Sequence, residues 1–118
     1  MSSNNFTAQL SHIINGVTFN LQGPGRVMVT FTKSLDIEEW QEFNNTLTDM
    51  IRKGYQNWIF NLKDMHMPTS IDIGMWLTCN AKITNSSGSV QFIIKKCSVV
   101  QRTLAVTKLN SIFSITYA

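Results

Sequence analysis

The sequence predicts an α/β fold: a mixed, mainly parallel sheet of four to five strands, with an N-terminal hairpin and three main helices. Three observations carry this reading. Val17, Phe19 and Leu21 alternate with polar residues, as do Val27, Val29 and Phe31, and a Gly23-Pro24-Gly25 turn signal separates the two runs. Farther on, stretches with apolar residues at three- and four-residue steps alternate with short, near-continuous apolar runs, Trp58 to Phe60 and Phe92 to Ile94. That is the pattern of helices between buried parallel strands. The resulting order, β-β-α-β-α-β-α-β, implies right-handed crossovers.

Each element has its own justification. Residues 1–15 form an extension of uncertain structure, in which 6–14 is either a short strand or a packed arm. The first helix begins near Lys33-Ser34-Leu35-Asp36, where Ser34 or Asp36 is the N-cap, and Glu38 and Glu39 suit its positive end. Ile37, Trp40, Phe43, Leu47, Met50 and Ile51 share one face of it. Arg52, Lys53 and then Gly54 close it. A central strand follows over Trp58 to Leu62, then a polar loop that ends at Pro68. The second helix runs from about Ser70 to Asn85, with Ile73, Leu77 and Ala81 on its inner face and Trp76, Cys79 and Ile83 widening it. Ser86 to Ser89 stop it. A strand from Val90 to Ile94 comes next. Ser98 then caps a third helix through Lys108, with Val99, Val100, Leu104 and Val106 as its apolar residues. Ile112 to Tyr117 is a last strand.

The 118 residues make one domain, 1–118. Hydrophobic content of 43% against 14% charged residues favours a packed fold over a disordered chain. A formal net charge of +3 is too small a bias to indicate nucleic-acid binding. The charges are unevenly spread. After Asp72 come Lys82, Lys95, Lys96, Arg102 and Lys108, and no acidic residue. That half of the chain is suited to an acidic partner. Cys79 and Cys97 have no metal-site spacing and read as buried free thiols. The polar start lacks the apolar stretch of a secretory leader, and no run reaches the ~20 residues of a membrane span. A cytoplasmic protein without membrane insertion is expected.

The functional surface is predicted where the central strand gives way to the second helix, over Trp58 to Leu77. There Ser70 stands at a helix N-terminus, where backbone N–H groups accommodate negative charge. Two roles are open to it and are compatible: N-cap and modified hydroxyl. Thr69 is a candidate for the same roles. Asp64 and His66 share the preceding loop but lack a third partner for metal or acid–base work. Met65 and Met67 suit an adaptable contact surface. No nucleophile–base pair, glycine-rich phosphate loop or metal cluster is visible. Neither an enzyme nor a cofactor is expected.

From Val17 to Tyr117 the chain resembles the STAS domain, the fold shared by bacterial anti-sigma-factor antagonists and the cytoplasmic tails of sulfate transporters. Lys33-Ser34-Leu35-Asp36 stands where that family ends its second strand in a G-x-L-D-like element. Asn57 to Leu62 is similar to its central strand. Thr69-Ser70-Ile71-Asp72-Ile73-Gly74 is similar to its D-S-S-G-L-G segment. Val90 to Lys96, Ser98 to Leu109 and Ile112 to Ile115 match its closing strand, helix and strand. The resemblance implies a phosphoacceptor at Ser70, an anti-sigma factor serine kinase as partner and modifying enzyme, and a transcription-regulating role. It also implies partner contacts at Asp36, Met65, His66, Met67, Ile71, Asp72 and Gly74. This chain departs from the pattern at Thr32, Thr69, Ile71 and Asp72. Asp72 is expected to present a permanent charge beside Ser70, in the manner of part of a phosphate. A scaffold subunit of a transporter or sensory complex, not phosphorylated, is the alternative. A third reading has a nucleotide or small anion docked at the Ser70 helix start.

Overall fold

The computed structural model describes residues 14–118. The expectation for 6–14 therefore lies outside the described residues, apart from Ile14, which is buried. Strands β1 (Val17–Leu21) and β2 (Arg26–Phe31) form the expected antiparallel hairpin. Gly23 and Gly25 carry its turn at φ values of 129° and 69°, which favour glycine. Helix α1 (Ile37–Arg52), strand β3 (Asn57–Asn61), helix α2 (Ser70–Asn85), strand β4 (Ser89–Ile94), helix α3 (Val99–Val106) and strand β5 (Ile115–Tyr117) follow. A single 3-10 turn, Leu109–Ser111, stands between α3 and β5. The third helix is thus shorter than expected and the last strand starts later.

The sheet order is β1-β2-β3-β4-β5, and β2 through β5 are parallel. Each helix links two neighbouring parallel strands, and every crossover steps in the same direction. Right-handed connections then put all three helices on one face of the sheet. The strands alternate accordingly. Val27, Val29, Phe31, Trp58, Phe60, Val90, Phe92 and Ile94 are buried, whereas Met28, Thr30, Ile59, Gln91 and Ile93 on the other face are only half-buried.

An aromatic row fastens the helices to the sheet. Phe31 lies 5.5 Å from Phe60, Phe60 lies 5.3 Å from Phe92, and Phe92 stacks on Phe113 at 4.2 Å, all between ring centroids. Phe43 of α1 packs on Phe31 at 5.3 Å and on Phe19 at 5.7 Å. Such pairs contribute about 0.5–1.5 kcal/mol each beyond area burial.

Four expectations about faces are corrected here. Ile37 is 60% exposed, because it opens α1 one turn beyond the buried stripe of Trp40, Phe43, Leu47 and Met50. Val106 is exposed at the end of α3, whose buried residues are Val100 and Leu104. Cys97 is exposed, in a turn at φ 61°, whereas Cys79 is buried. Leu77 and Ala81 face outward, and α2 instead buries Asp72, Trp76, Cys79 and Ile83.

Candidate functional site

Two loops and two helix starts meet at the carboxyl ends of β2 and β3. After β3, Leu62 N–H still donates to Ile93 O at 2.8 Å, and Lys63 N–H donates to the Asn61 side chain at 3.2 Å. Leu62 and Met65 then bury their side chains, pinning the loop at two points. Asp64, His66 and Met67 between and beyond those pins are exposed. Met65 is therefore an anchor in the core, not the contact residue expected; Met67 is 70% exposed.

Helix α2 starts with a capping box. Thr69, not Ser70, is the N-cap: its Oγ1 accepts from Asp72 N–H at 3.3 Å, and the Asp72 carboxylate accepts from Thr69 N–H at 2.8 Å. Ser70 takes the first helical position. Its residue is exposed, and its hydroxyl has no hydrogen bond to any described residue. The Thr69 hydroxyl, by contrast, donates to Asp72 Oδ2 at 3.1 Å.

Asp72 is the hub of this corner. It is 0% exposed. Its Oδ1 accepts from Trp40 Nε1 at 2.9 Å and from Leu35 N–H at 3.1 Å. Its Oδ2 accepts from Ser34 Oγ at 2.5 Å as well as from Thr69. One carboxylate thus joins the β2–α1 loop, the first turn of α1 and the start of α2. The expected surface charge next to Ser70 does not exist. The backbone N–H groups and the indole turn the carboxylate inward, since a buried carboxylate is tolerated only when donors surround it.

The same anchoring explains the turn of α2. Asp72, Trp76, Cys79 and Ile83 lie at steps of four, three and four, a regular helical stripe headed by an acid. With that stripe inside, Ser70, Gly74, Leu77 and Ala81 lie along the opposite face, flanked by Ile71, Thr78 and Thr84, all exposed. This outer face carries no charged side chain. Surface helices normally place their charges there, so an uncharged, partly apolar outer face is characteristic of an interface. Ile71 is 41% exposed. It also lines a groove of about 230 Å³ between α1 and α2, with Ile37, Trp40, Gln41, Asn44 and Met75. Lys82, the cation of α2, is engaged with Asn44 Oδ1 at 2.9 Å and Thr48 Oγ1 at 2.7 Å on α1.

Gly74 fits this picture. A Cβ built there meets no atom within 4 Å. The fold does not need glycine at this helical position, where it costs about 0.5–1 kcal/mol relative to alanine. Its effect is to leave the backbone open to close approach from outside. Asp36 is the N-cap of α1: its carboxylate accepts from Glu39 N–H at 2.8 Å, and its own N–H donates to Glu39 Oε1 at 2.9 Å. His66 is exposed and lines a different, basic cleft with Lys63, Lys95 and Arg102.

Ile37 and the α1 side of the groove lie outside the surface expected from the sequence, which spans Trp58 to Leu77. The signal was present: α2 has apolar residues on every side and, apart from Asp72 and Lys82, no charge. Among the described residues, no three His, Cys, Asp or Glu side chains are grouped as a metal site, and no helix is long and apolar enough to cross a membrane.

Neither a protein-family model nor a curated protein matches the sequence. Solved structures do match. TM1081 of Thermotoga maritima, a candidate anti-sigma factor antagonist, is similar with a TM-score of 0.73 and 24% identity, over 91% of this chain and 90% of its own. The anti-sigma factor antagonist SpoIIAA in its unphosphorylated form gives a TM-score of 0.66 at 15% identity, over 86% and 88%. The phosphorylated form of the Bacillus cell fate determinant SpoIIAA gives 0.65 at 14%, over 86% and 90%. The chain shares the fold of these proteins.

Proposed function

We propose that this chain, a STAS fold like those proteins, is a non-catalytic regulatory domain of the anti-sigma-factor-antagonist kind. It binds an anti-sigma factor serine kinase in a bacterial cytoplasm, and phosphorylation of Ser70 releases that partner. The observation that supports this best is the contrast between two adjacent hydroxyls. Ser70 is exposed and unbonded among the described residues, whereas Thr69 is tied into the Asp72 hub. Ser70, rather than Thr69, is therefore the phosphoacceptor.

The contact surface is the uncharged face of α2 with the α1–α2 groove: Ile37, Met67, Ile71, Gly74 and Leu77 around Ser70. A phosphate brings about −1.5 to −2 charges at pH 7. At the first position of α2 the unpaired N–H groups and the helix dipole accommodate that charge, so the fold survives it. In the middle of an apolar contact the same charge must be desolvated, so the contact is lost. No rearrangement of the domain is needed.

The test is incubation with anti-sigma factor serine kinases and ATP, followed by mass spectrometry of the peptides and sizing chromatography of the mixture. Phosphate at Ser70, its absence in Ser70→Ala and a complex that Ser70→Glu disrupts are expected. A stable complex with a transporter or sensory protein that forms equally well with Ser70→Ala and Ser70→Glu, and no phosphate, would replace this reading with the scaffold one.

A further inference from the structure

The two outer strands of the sheet differ. At one edge, β5 has three residues. At the other, β1 has five, with no charge, no proline and an unbroken register against β2. Natural edge strands are kept from pairing further by brevity, by lysine or proline, or by a bulge. Brevity blunts β5, and none of these blunts β1. The bonds at its two ends fix which way its backbone groups turn. Thr32 N–H donates to Gly16 O at 2.9 Å, and Gln22 N–H donates to Arg26 O at 3.0 Å. Backbone groups of an antiparallel pair turn alternately inward and outward. Thr18 and Asn20 therefore turn theirs to β2, and Val17, Phe19 and Leu21 turn theirs away from it. Val17 N–H donates to Ile14 O at 3.3 Å. Among the described residues, the N–H groups of Phe19 and Leu21 and the C=O groups of Val17, Phe19 and Leu21 have no partner.

We propose that β1 pairs antiparallel with β1 of a second copy of this chain, about a two-fold axis at Phe19 perpendicular to the sheet. Donors and acceptors repeating at every second residue of a strand are matched by another extended backbone. In this register β1 is its own complement. Phe19 of each copy exchanges N–H···O bonds with Phe19 of the other, and Leu21 N–H of each donates to Val17 O of the other. Every free donor of the edge is thereby used. The side chains also match: Phe19 opposes Phe19, Val17 opposes Leu21, and Thr18 opposes Asn20. A shift of two residues runs one end of β1 past the end of its mate. The absence of charge on β1 favours a second copy, because self-pairing brings no like charges together. The contact is isologous, and the axis keeps the helices of both copies on the same side of one continuous sheet. Val17 and Phe19 are already buried within one chain, so little apolar area is added and the association is weak. The edge shares no residue with the Ser70 face, so the proposal stands apart from the switch described above.

Sedimentation equilibrium of the 118-residue protein, from about 10 µM to about 1 mM, should show a monomer–dimer equilibrium. Three paired variants test the register. Thr18→Lys/Asn20→Lys and Thr18→Glu/Asn20→Glu each set like charges directly opposite one another, and both should weaken the dimer by about tenfold or more. Thr18→Lys/Asn20→Glu sets opposite charges against each other and should restore it. General repulsion between copies predicts otherwise: the glutamate pair lowers the net charge of +3 and would tighten the dimer. Thr18 and Asn20 are exposed, so the dilute monomer should keep its thermal midpoint in all three. Amide hydrogen exchange of the unmodified protein is a readout that needs no variant: exchange at Phe19 and Leu21 should slow as concentration rises. A protein monomeric throughout, a dimer indifferent to the like-charge variants, or a mixed-charge variant as weak as they are overturns the proposal. So does slow exchange at Phe19 and Leu21 in the dilute monomer, which would show the edge covered by another segment of the same chain.

Discussion

Replacing Asp72 with asparagine tests whether one buried carboxylate holds the functional corner together. The side chain keeps its shape, so no cavity forms, and only the acceptor set changes. The amide oxygen has two places to go. At the Oδ2 position it leaves Leu35 N–H and Trp40 Nε1–H facing an NH₂ group, two orphaned buried donors at about 1–3 kcal/mol each. At the Oδ1 position it keeps both, and the NH₂ group faces Thr69 N–H, while the Ser34 and Thr69 hydroxyls rotate to accept. That cheaper arrangement loses one charge-assisted backbone bond and part of the cap, about 2–3 kcal/mol in all. A chain of this size has roughly 5–15 kcal/mol to lose. The thermal midpoint should fall by about 8–12 °C. Asp72→Ala orphans both donors and should cost about 3–5 kcal/mol. Urea unfolding followed by tryptophan fluorescence measures both. A cycle with Trp40→Phe adds a sharper readout. With the indole N–H already gone, Asp72→Ala should cost at least about 1 kcal/mol less. A loss below about 1 kcal/mol for Asp72→Asn, or strict additivity in the cycle, would refute the hub.

Two glycine substitutions should move stability in opposite directions. Gly74→Ala meets open space and should stabilise the fold by about 0.5–1 kcal/mol in urea unfolding while weakening the partner complex. Gly88→Ala drives a Cβ into the Gln56 carbonyl and the Ile83 side chain and should destabilise by about 1–3 kcal/mol. The two thiols should separate under a maleimide reagent: Cys97 reacts in the folded protein, and Cys79 reacts only in denaturant. Burial pushes the Cys79 thiol up from 9.0 to about 12, against a smaller lowering by Lys82. A raised value in the folded state stabilises fully below pH 9 and is lost as pH climbs toward 12. Unfolding free energy should therefore fall by up to about 1.4 kcal/mol per pH unit in that window, and Cys79→Ala should flatten the slope.

Much of the fold was legible because it rests on local signals. Alternation around Gly23-Pro24-Gly25 encodes the hairpin, since side-chain direction in a strand follows residue parity. Asp36 and Ser98 cap their helices as their positions suggest, because a cap is an interaction over three residues. Gly54, at φ 98°, ends α1 for a reason contained in glycine itself. Ser70 was legible as an exposed hydroxyl at a helix start, although the cap fell to Thr69, one residue earlier.

The sequence by itself determined which segments are strands and helices, their order, and the presence of a serine at the start of α2. Tertiary structure alone decided which side of α2 faces in. An acid at the head of the stripe Asp72-Trp76-Cys79-Ile83 reads as a surface residue until Trp40 and Leu35, more than thirty positions earlier, bring it their N–H groups. The same long-range packing buried Met65, exposed Leu77 and gathered Lys63, Lys95, Lys96 and Arg102 around one cleft. A side chain's partners across the fold depend on crossovers and helix rotation, and neither is written in the spacing of neighbouring residues.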